Sequence, residues 1–218
     1  PTYRATEEEI QSTRGRANML RQAMNGTLDA EATDPEFLRE VLDLCVGCKG
    51  CAHDCPSQVD LAKLKVEVEH AHHQEAGASW REKLFANVHH ISKIGSALAP
   101  LSNLAQSLPG SDWLTEKTIG IAGERSLPHF ERETFCDWFA SRRREITESK
   151  ATRRVMLVPD TYNNYSNPAV LKAAVKVLET AGVYVAVPET GPTGRAAHSQ
   201  GFLTVARERA ERTVTELA

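Results

Sequence analysis

The chain has 218 residues, 41% of them hydrophobic and 25% charged, a globular balance that leaves room for one large or two small domains. Its formal net charge of −3 gives no electrostatic reason to expect nucleic acid or an anionic membrane surface as a partner. No apolar run is long enough to cross a bilayer, and no basic start with an apolar middle marks a secretory leader. Five cysteines without such a signal point to a reducing cytoplasm, where clustered thiols bind metal or do redox chemistry more often than they form disulfides. The chain opens on Pro1 instead of methionine, which suits a processed chain or a piece of a longer one.

The first two-thirds reads as helices. "TEEEIQSTRGRANMLRQAMNG" has Thr6 and Glu9 in capping-box spacing and a stop near Gly26, with Ile10, Ala17, Leu20 and Met24 on one face. "DPEFLREVLDLC" predicts a helix with Asp34 as N-cap and Pro35 at its first position; its stripe of Leu38, Val41 and Leu42 ends at Cys45. Leu61, Leu64, Val68 and Ala71 mark another amphipathic helix. A longer one follows through Leu84, Val88, Ile91 and Leu98, until Pro100 kinks or ends it. Residues 109–128 read as a connection, "FERETFCDWFASRRREI" as one more helix, and "TESKATR" as a linker.

From Arg154 the texture changes. "RVMLVPD" has the length and continuous apolar character of a strand covered on both faces. Asn167 and Pro168 open a helix with Leu171, Ala174, Val175 and Leu178 inward, and Gly182 stops it. "VYVAVP" is a second strand, and a second helix runs from about Ser199 to the end. Strand, helix, strand, helix is the pattern of a parallel α/β unit with right-handed crossovers. Two strands make a poor sheet, so the chain reads as the first half of such a domain. The expected fold is a helical ferredoxin-like domain over residues 1–150 followed by a partial parallel βαβα domain over residues 151–218.

Between the second and third helices lies "LCVGCKGCAHDCPSQVD". Cys45, Cys48, Cys51 and Cys55, followed by Pro56, match the C-x2-C-x2-C-x3-C-P run that binds iron–sulfur clusters. The reason is geometric. A [4Fe–4S] cube offers four iron corners, and two-residue gaps let one winding loop place thiolates on adjacent corners. Gly47 and Gly50 are expected to relieve crowding where backbone wraps the cluster, and nearby N–H groups can donate to its sulfur. A structural zinc site normally draws two separated C-x2-C pairs, a separation this run lacks. The ligand count stays open at its fourth member. In two-cluster ferredoxins the last cysteine of such a run serves the other cluster, whereas here no second run exists, and we expect Cys55 to turn back to the same cube. Cys136, beside Phe135 and Trp138, reads as a small core residue.

Other signals are weaker. His70, His72 and His73, with His89 and His90, could bind metal or relay protons, but their spacing favours a solvated helix face. Arg14 and Arg16, and Arg142 to Arg144, have acids beside them and read as solvated faces or protein contacts. "TGPTGR" lacks the Lys-Ser/Thr of a P-loop and reads as a plain turn. Nothing resembles a nucleophile–base pair.

The order of these stretches carries more than any one of them. "EIQSTRGRANMLRQAMNG", then "LDLCVGCKGCAHDCPSQVDLAKLKVE", then "VMLVPDTYNNYSNPAVLKAAVKVLETAGVYVAVP" resembles the C-terminal half of the FAD-linked oxidase and Fe–S oxidoreductase fusions, which include bacterial D-lactate and D-2-hydroxyglutarate dehydrogenases. The resemblance spans essentially the whole chain. It implies that Cys45, Cys48, Cys51 and Cys55 hold a [4Fe–4S] cluster. It further implies that FAD sits on an absent N-terminal domain or a separate flavoprotein, and that electrons pass to a quinone or a carrier protein. The cytoplasm is the implied location, free or peripheral at the inner face of the membrane. Where related proteins carry a Cys-Cys-Gly motif after the second strand, this chain reads Pro192, Thr193, Gly194, which argues against a second cluster site there. Two alternatives remain: a separate iron–sulfur subunit docking on a flavoprotein, and a non-catalytic redox-sensing module with a structural cluster.

Overall fold

The computed structural model describes residues 2–28, 35–142, 151, 153–188 and 191–218. In chain order the elements are α1 (Tyr3–Thr6), α2 (Thr13–Met24), α3 (Pro35–Asp43), α4 (Gly50–Asp54), α5 (Leu61–Glu75), α6 (Trp80–Ala86), α7 (Val88–Ala97), α8 (Ala99–Gln106), α9 (Ser111–Ile119), α10 (Phe135–Ser141), β1 (Arg153–Met156), α11 (Thr161–Tyr165), α12 (Pro168–Thr180), β2 (Val183–Ala186), α13 (Arg195–Ser199) and α14 (Leu203–Leu217). The chain is mostly helical with a small parallel sheet. It forms two compact units, one of Pro1–Ala86 with Ala196–Ala206, the other of Asn87–Arg195 with Arg207–Ala218. The expected linker at 147–153 and the expected boundary at 150 fall almost wholly outside the described residues, as do Asp34, Arg143 and Arg144.

In the first unit α2, α3 and α5 close on a core of Leu20, Leu42 and Leu61, with Ala17, Leu38, Cys51, Leu64 and Val68 packed around it. The first helix starts later than the Thr6–Glu9 spacing suggests. Glu9–Gln11 form a single 3-10 turn, and Ser12 caps α2 by accepting from the Gly15 N–H at 2.9 Å. Met24 lies past the buried stripe and is exposed. Gly15 is required by close approach, because a Cβ there would meet the Glu9 carbonyl oxygen at 2.1 Å. Arg16, on the same helix, is buried and not solvated. Its Nε donates to the Val41 carbonyl at 3.2 Å and its Nη2 to Gln11 Oε1 at 2.7 Å, which ties α2 to α3.

In the second unit β1 and β2 pair in parallel, with Arg153 opposite Val183 and Val155 opposite Val185. One face carries the core: Phe135 and Phe139 of α10 and Leu171 and Val175 of α12 enclose Val185. Arg153, Arg154 and Met156 are exposed and Val155 is half-buried, so the strand expected to be covered on both faces is exposed over most of its length. The long helix read through residues 84–98 is instead α6 and α7, and Pro100 helps to start α8 instead of ending its predecessor. The stretch read as a connection contains α9. α10 begins at a full capping box between Thr134 and Asp137.

Arg142 follows α10 directly and is buried against it. Its guanidinium grips Glu179 of α12 in a two-pronged pair (2.9 and 2.5 Å) and lies over the rings of Trp138 and Phe139. Only 10% of the Arg142 side chain and 1% of the Glu179 side chain is exposed, so neither charge has water to fall back on. We expect Glu179→Ala to destabilise the second unit by about 3–5 kcal/mol, because it leaves a buried guanidinium without its carboxylate. The double change Arg142→Leu with Glu179→Leu should recover most of that loss in a denaturant titration. Equal losses in single and double variants would disprove the account.

Candidate iron–sulfur centre

The cysteine loop is strung between the C-terminus of α3 and the N-terminus of α5. Leu42, fully buried, anchors the first end, and the Cys45 N–H donates to its carbonyl at 2.9 Å. Asp60 anchors the second end as N-cap of α5, accepting from the Lys63 N–H at 3.2 Å. Lys49, just before α4, reaches back to Asp60 Oδ2 at 3.0 Å and joins the middle of the loop to its far end. The Lys49 ammonium holds the Asp60 carboxyl below the usual carboxylate range. From α5, Lys65 donates to the carbonyls of Asp43 (3.0 Å) and Cys45 (3.2 Å), so the turn that carries Cys45 is fixed from below. Sequence reasoning missed Lys49, Asp60 and Lys65. Asp60 carried a signal, being an N-cap residue type directly before the apolar stripe of α5.

These supports set the four thiols at graded depths. Cys51 packs on the Leu20–Leu42–Leu61 core, Cys45 and Cys55 are half-buried, and Cys48 is exposed. Cys55 ends α4. Backbone N–H groups of Val59, Ser57 and Gln58 lower the pKa of its thiol, outweighing a small opposing effect of burial. N–H groups aimed at sulfur are the kind of second-shell contact that tunes an iron–sulfur potential. The two glycines divide their work differently from the crowding expectation. Gly47 has φ +64° and open space around it, so it is needed for a left-handed turn; a Cβ on Gly50 would meet only Cys48 Sγ, at an ordinary 3.7 Å. Lys49 and Gln58 also take positive φ (59° and 52°), so the loop holds two non-glycine residues in a region such residues rarely adopt.

The donor set of four thiols suits a [4Fe–4S] cube. One tetrahedral zinc would draw its sulfurs to within about 4 Å of one another at normal bond lengths. Among the described residues the one group of three or more potential ligand atoms within 4.8 Å is Glu69, His73 and Glu82, and it contains no cysteine. That group already holds a cation. Arg39 donates to Glu69 at 3.1 Å and to Glu82 at 2.5 Å, while Ser79 caps the other Glu82 oxygen at 2.7 and 2.8 Å. His72 and His73 belong to the same cluster, with side chains only 12% and 6% exposed, so the "HAHH" stretch is not the solvated face it resembled. His70 Nδ1 lies 3.0 Å from the Gly201 carbonyl. His89 lies in the second unit.

Comparison with known proteins bears on the wider setting. Residues 1–60 match the family model described as a 4Fe-4S dicluster domain. The chain is similar to proteins named D-2-hydroxyglutarate dehydrogenase. It is 23% identical to that of Pseudomonas putida, over all of this chain and 25% of the relative. It is 22% identical to that of Haemophilus influenzae, over 89% of this chain and 20% of the relative. The figures for Escherichia coli are 24% identity, 81% of this chain and 18% of the relative. These likenesses support the resemblance to the FAD-linked oxidase and iron–sulfur oxidoreductase fusions. The chain spans about a fifth to a quarter of the length of these curated relatives. No solved structure matches it. No helix among the described residues is long and apolar enough to cross a membrane.

The Arg39 cluster makes the fold of this iron–sulfur unit sensitive to acid. Burial pushes the Glu82 carboxyl up, but the Ser79 donors, Arg39 and His73 outweigh it and leave its pKa below the ordinary 4.5. A carboxyl whose pKa is depressed by folding stabilises the fold above its unfolded value, and loses that contribution as pH falls through its folded value. Thermal stability should therefore drop as pH falls below the ordinary carboxylate value of 4.5. Glu82→Gln should be less stable at neutral pH and show a shallower acid slope; parallel slopes in the two proteins would refute the assignment.

Proposed function

We propose that this chain is the electron-transfer portion of a flavin-dependent 2-hydroxy-acid dehydrogenase, with Cys45, Cys48, Cys51 and Cys55 holding one [4Fe–4S] cluster. The observation that carries the reading is the four-cysteine loop, pinned between α3 and α5 by Lys49–Asp60 and Lys65 within a matched 4Fe-4S domain. The cluster would supply one-electron steps between a two-electron flavin and the final acceptor. Oxidation of a 2-hydroxy acid to its 2-oxo acid releases two electrons and two protons, and these would enter at FAD on a domain or subunit outside this chain. D-2-hydroxyglutarate is the favoured substrate, since it appears in the names of the relatives. A quinone or a carrier protein would take the electrons, in the cytoplasm or at the inner face of its membrane.

The protein's own part is to place the thiolates, set their depth and aim N–H groups at Cys55. In this reading residues 1–150 carry the cluster and connecting helices, and residues 151–218 form the first half of an α/β domain. A requirement for a partner is supported by α7 and α8, which leave Ile94, Leu98, Leu101 and Leu104 each 52–67% exposed in succession.

The word "dicluster" in the family description favours one further reading, in which a second cluster is completed by residues outside this chain and Cys55 serves that one. Iron content separates the two. The chain purified without oxygen should be brown and hold about four iron and four sulfide if its own cysteines complete a cube. Cys48→Ser should lose most of that iron while costing little packing, because Cys48 is exposed. Mixing the chain with its flavoprotein and D-2-hydroxyglutarate should produce the EPR signal of a reduced cluster. A colourless protein with one zinc, or unchanged iron in Cys48→Ser, would overturn the proposal.

A further inference from the structure

The second unit contains a cleft of about 440 Å³ for which electron transfer through the cysteine loop has no use. Thr161 and Asn164 reach it from the segment after β1 and Gly191 from the segment after β2, so it lies off the carboxyl ends of both parallel strands. That is where open parallel sheets take ligands. α7 and the start of α10 supply the other walls.

Its chemistry is that of an anion site. Lys93 and Arg132 line it, both exposed and in no ion pair among the described residues. Among the described residues the one carboxylate in the lining, Asp137, is turned inward to the capping box, where its Oδ2 takes the Thr134 hydroxyl (2.7 Å) and N–H (3.3 Å). The nearby Glu133 is engaged by Lys172 at 2.5 Å. The floor is buried and partly apolar. Asn164 and Tyr165 are buried, the Asn164 amide oxygen accepts from the Cys136 N–H at 3.0 Å, and the Tyr165 ring stands edge-on to His89 at 5.4 Å. His89 Nδ1 lies 3.2 Å from the Thr161 hydroxyl. Burial, then the fields of His90, Lys93 and Arg209, lower the His89 pKa, as expected beside a surplus of positive charge.

We propose that this cleft binds a small organic carboxylate, with the anionic end at Lys93 and Arg132 and the carbon skeleton over Tyr165 and His89. A bare phosphate would not use the aromatic floor, and a neutral quinone would not use the two cations. The assignment is independent of the cluster and goes beyond it: a chain without iron keeps the cleft.

Isothermal titration of the whole chain with succinate and malate, at low ionic strength, tests it. Saturable one-site binding is expected, and Lys93→Gln and Arg132→Gln should each weaken it about tenfold without lowering the melting temperature, both residues being exposed. Absence of saturable binding by either acid, or affinities unchanged in both variants, would overturn the proposal. So would inorganic phosphate binding as tightly as the dicarboxylates, or a water-soluble benzoquinone displacing them.

Discussion

Four thiols within eleven residues pose the constraint to which the first unit answers. Four ligand thiols must be held ready at the corners of one cluster, and a loop winding around a cluster cannot satisfy its backbone with a regular ladder. The structure meets both demands from outside the loop. Leu42 and Leu61 fix its ends in one apolar core, Cys51 is drawn onto that core, and Lys49 and Lys65 place positive charge and donors where the loop's own carbonyls and Asp60 need them. Folding of α3 and α5 and assembly of the ligand set are thus one event, the usual coupling when metal ligands become organised only in the folded state.

The same logic recurs at three arginines of the described residues. Arg16, Arg39 and Arg142 each bridge elements far apart in sequence: Arg16 reaches Val41, 25 residues on; Arg39 reaches Glu69 and Glu82, 30 and 43 on; and Arg142 reaches Glu179, 37 on. A single exposed pair of this kind would contribute little. Arg16 and Arg142 are buried at the guanidinium and Arg39 is partly so; each, hydrogen-bonded across two elements, makes one relative placement of them better than its neighbours, because sliding either element strands a charge.

These separations explain what could be read from the sequence. α3, α5 and α12 were legible from periodic apolar residues, because a stripe at helical spacing has one physical meaning wherever the helix docks. The cysteine run was legible because all its donors lie on one short loop. The roles of Arg16, His73 and Arg142 were not, since a basic residue with acids beside it looks solvated until a distant carboxylate or carbonyl is known to face it. Local competition hid other features. Thr6–Glu9 and Ser12–Gly15 both suit a helix start, and the tight approach of Gly15 to the Glu9 carbonyl favours the later one. Pro100 can end a helix or begin one, and only the break at Leu98 decides it.

The two candidate sites thus differ in how they are made. The proposed iron–sulfur loop is contiguous, so its candidate ligands are a property of sequence that the fold only has to hold still. The cleft is discontinuous: its cations come from α7 and from the turn before α10, and its floor from the segment after β1. None of those residues forms a motif, and the cleft exists only while β1 and β2 keep their parallel register and α10 stays packed on α12. The Arg142–Glu179 pair, which locks α10 to α12, therefore supports a site it does not touch. Loss of that pair should loosen the cleft while leaving the four-cysteine loop, with its own anchors in α3 and α5, in place.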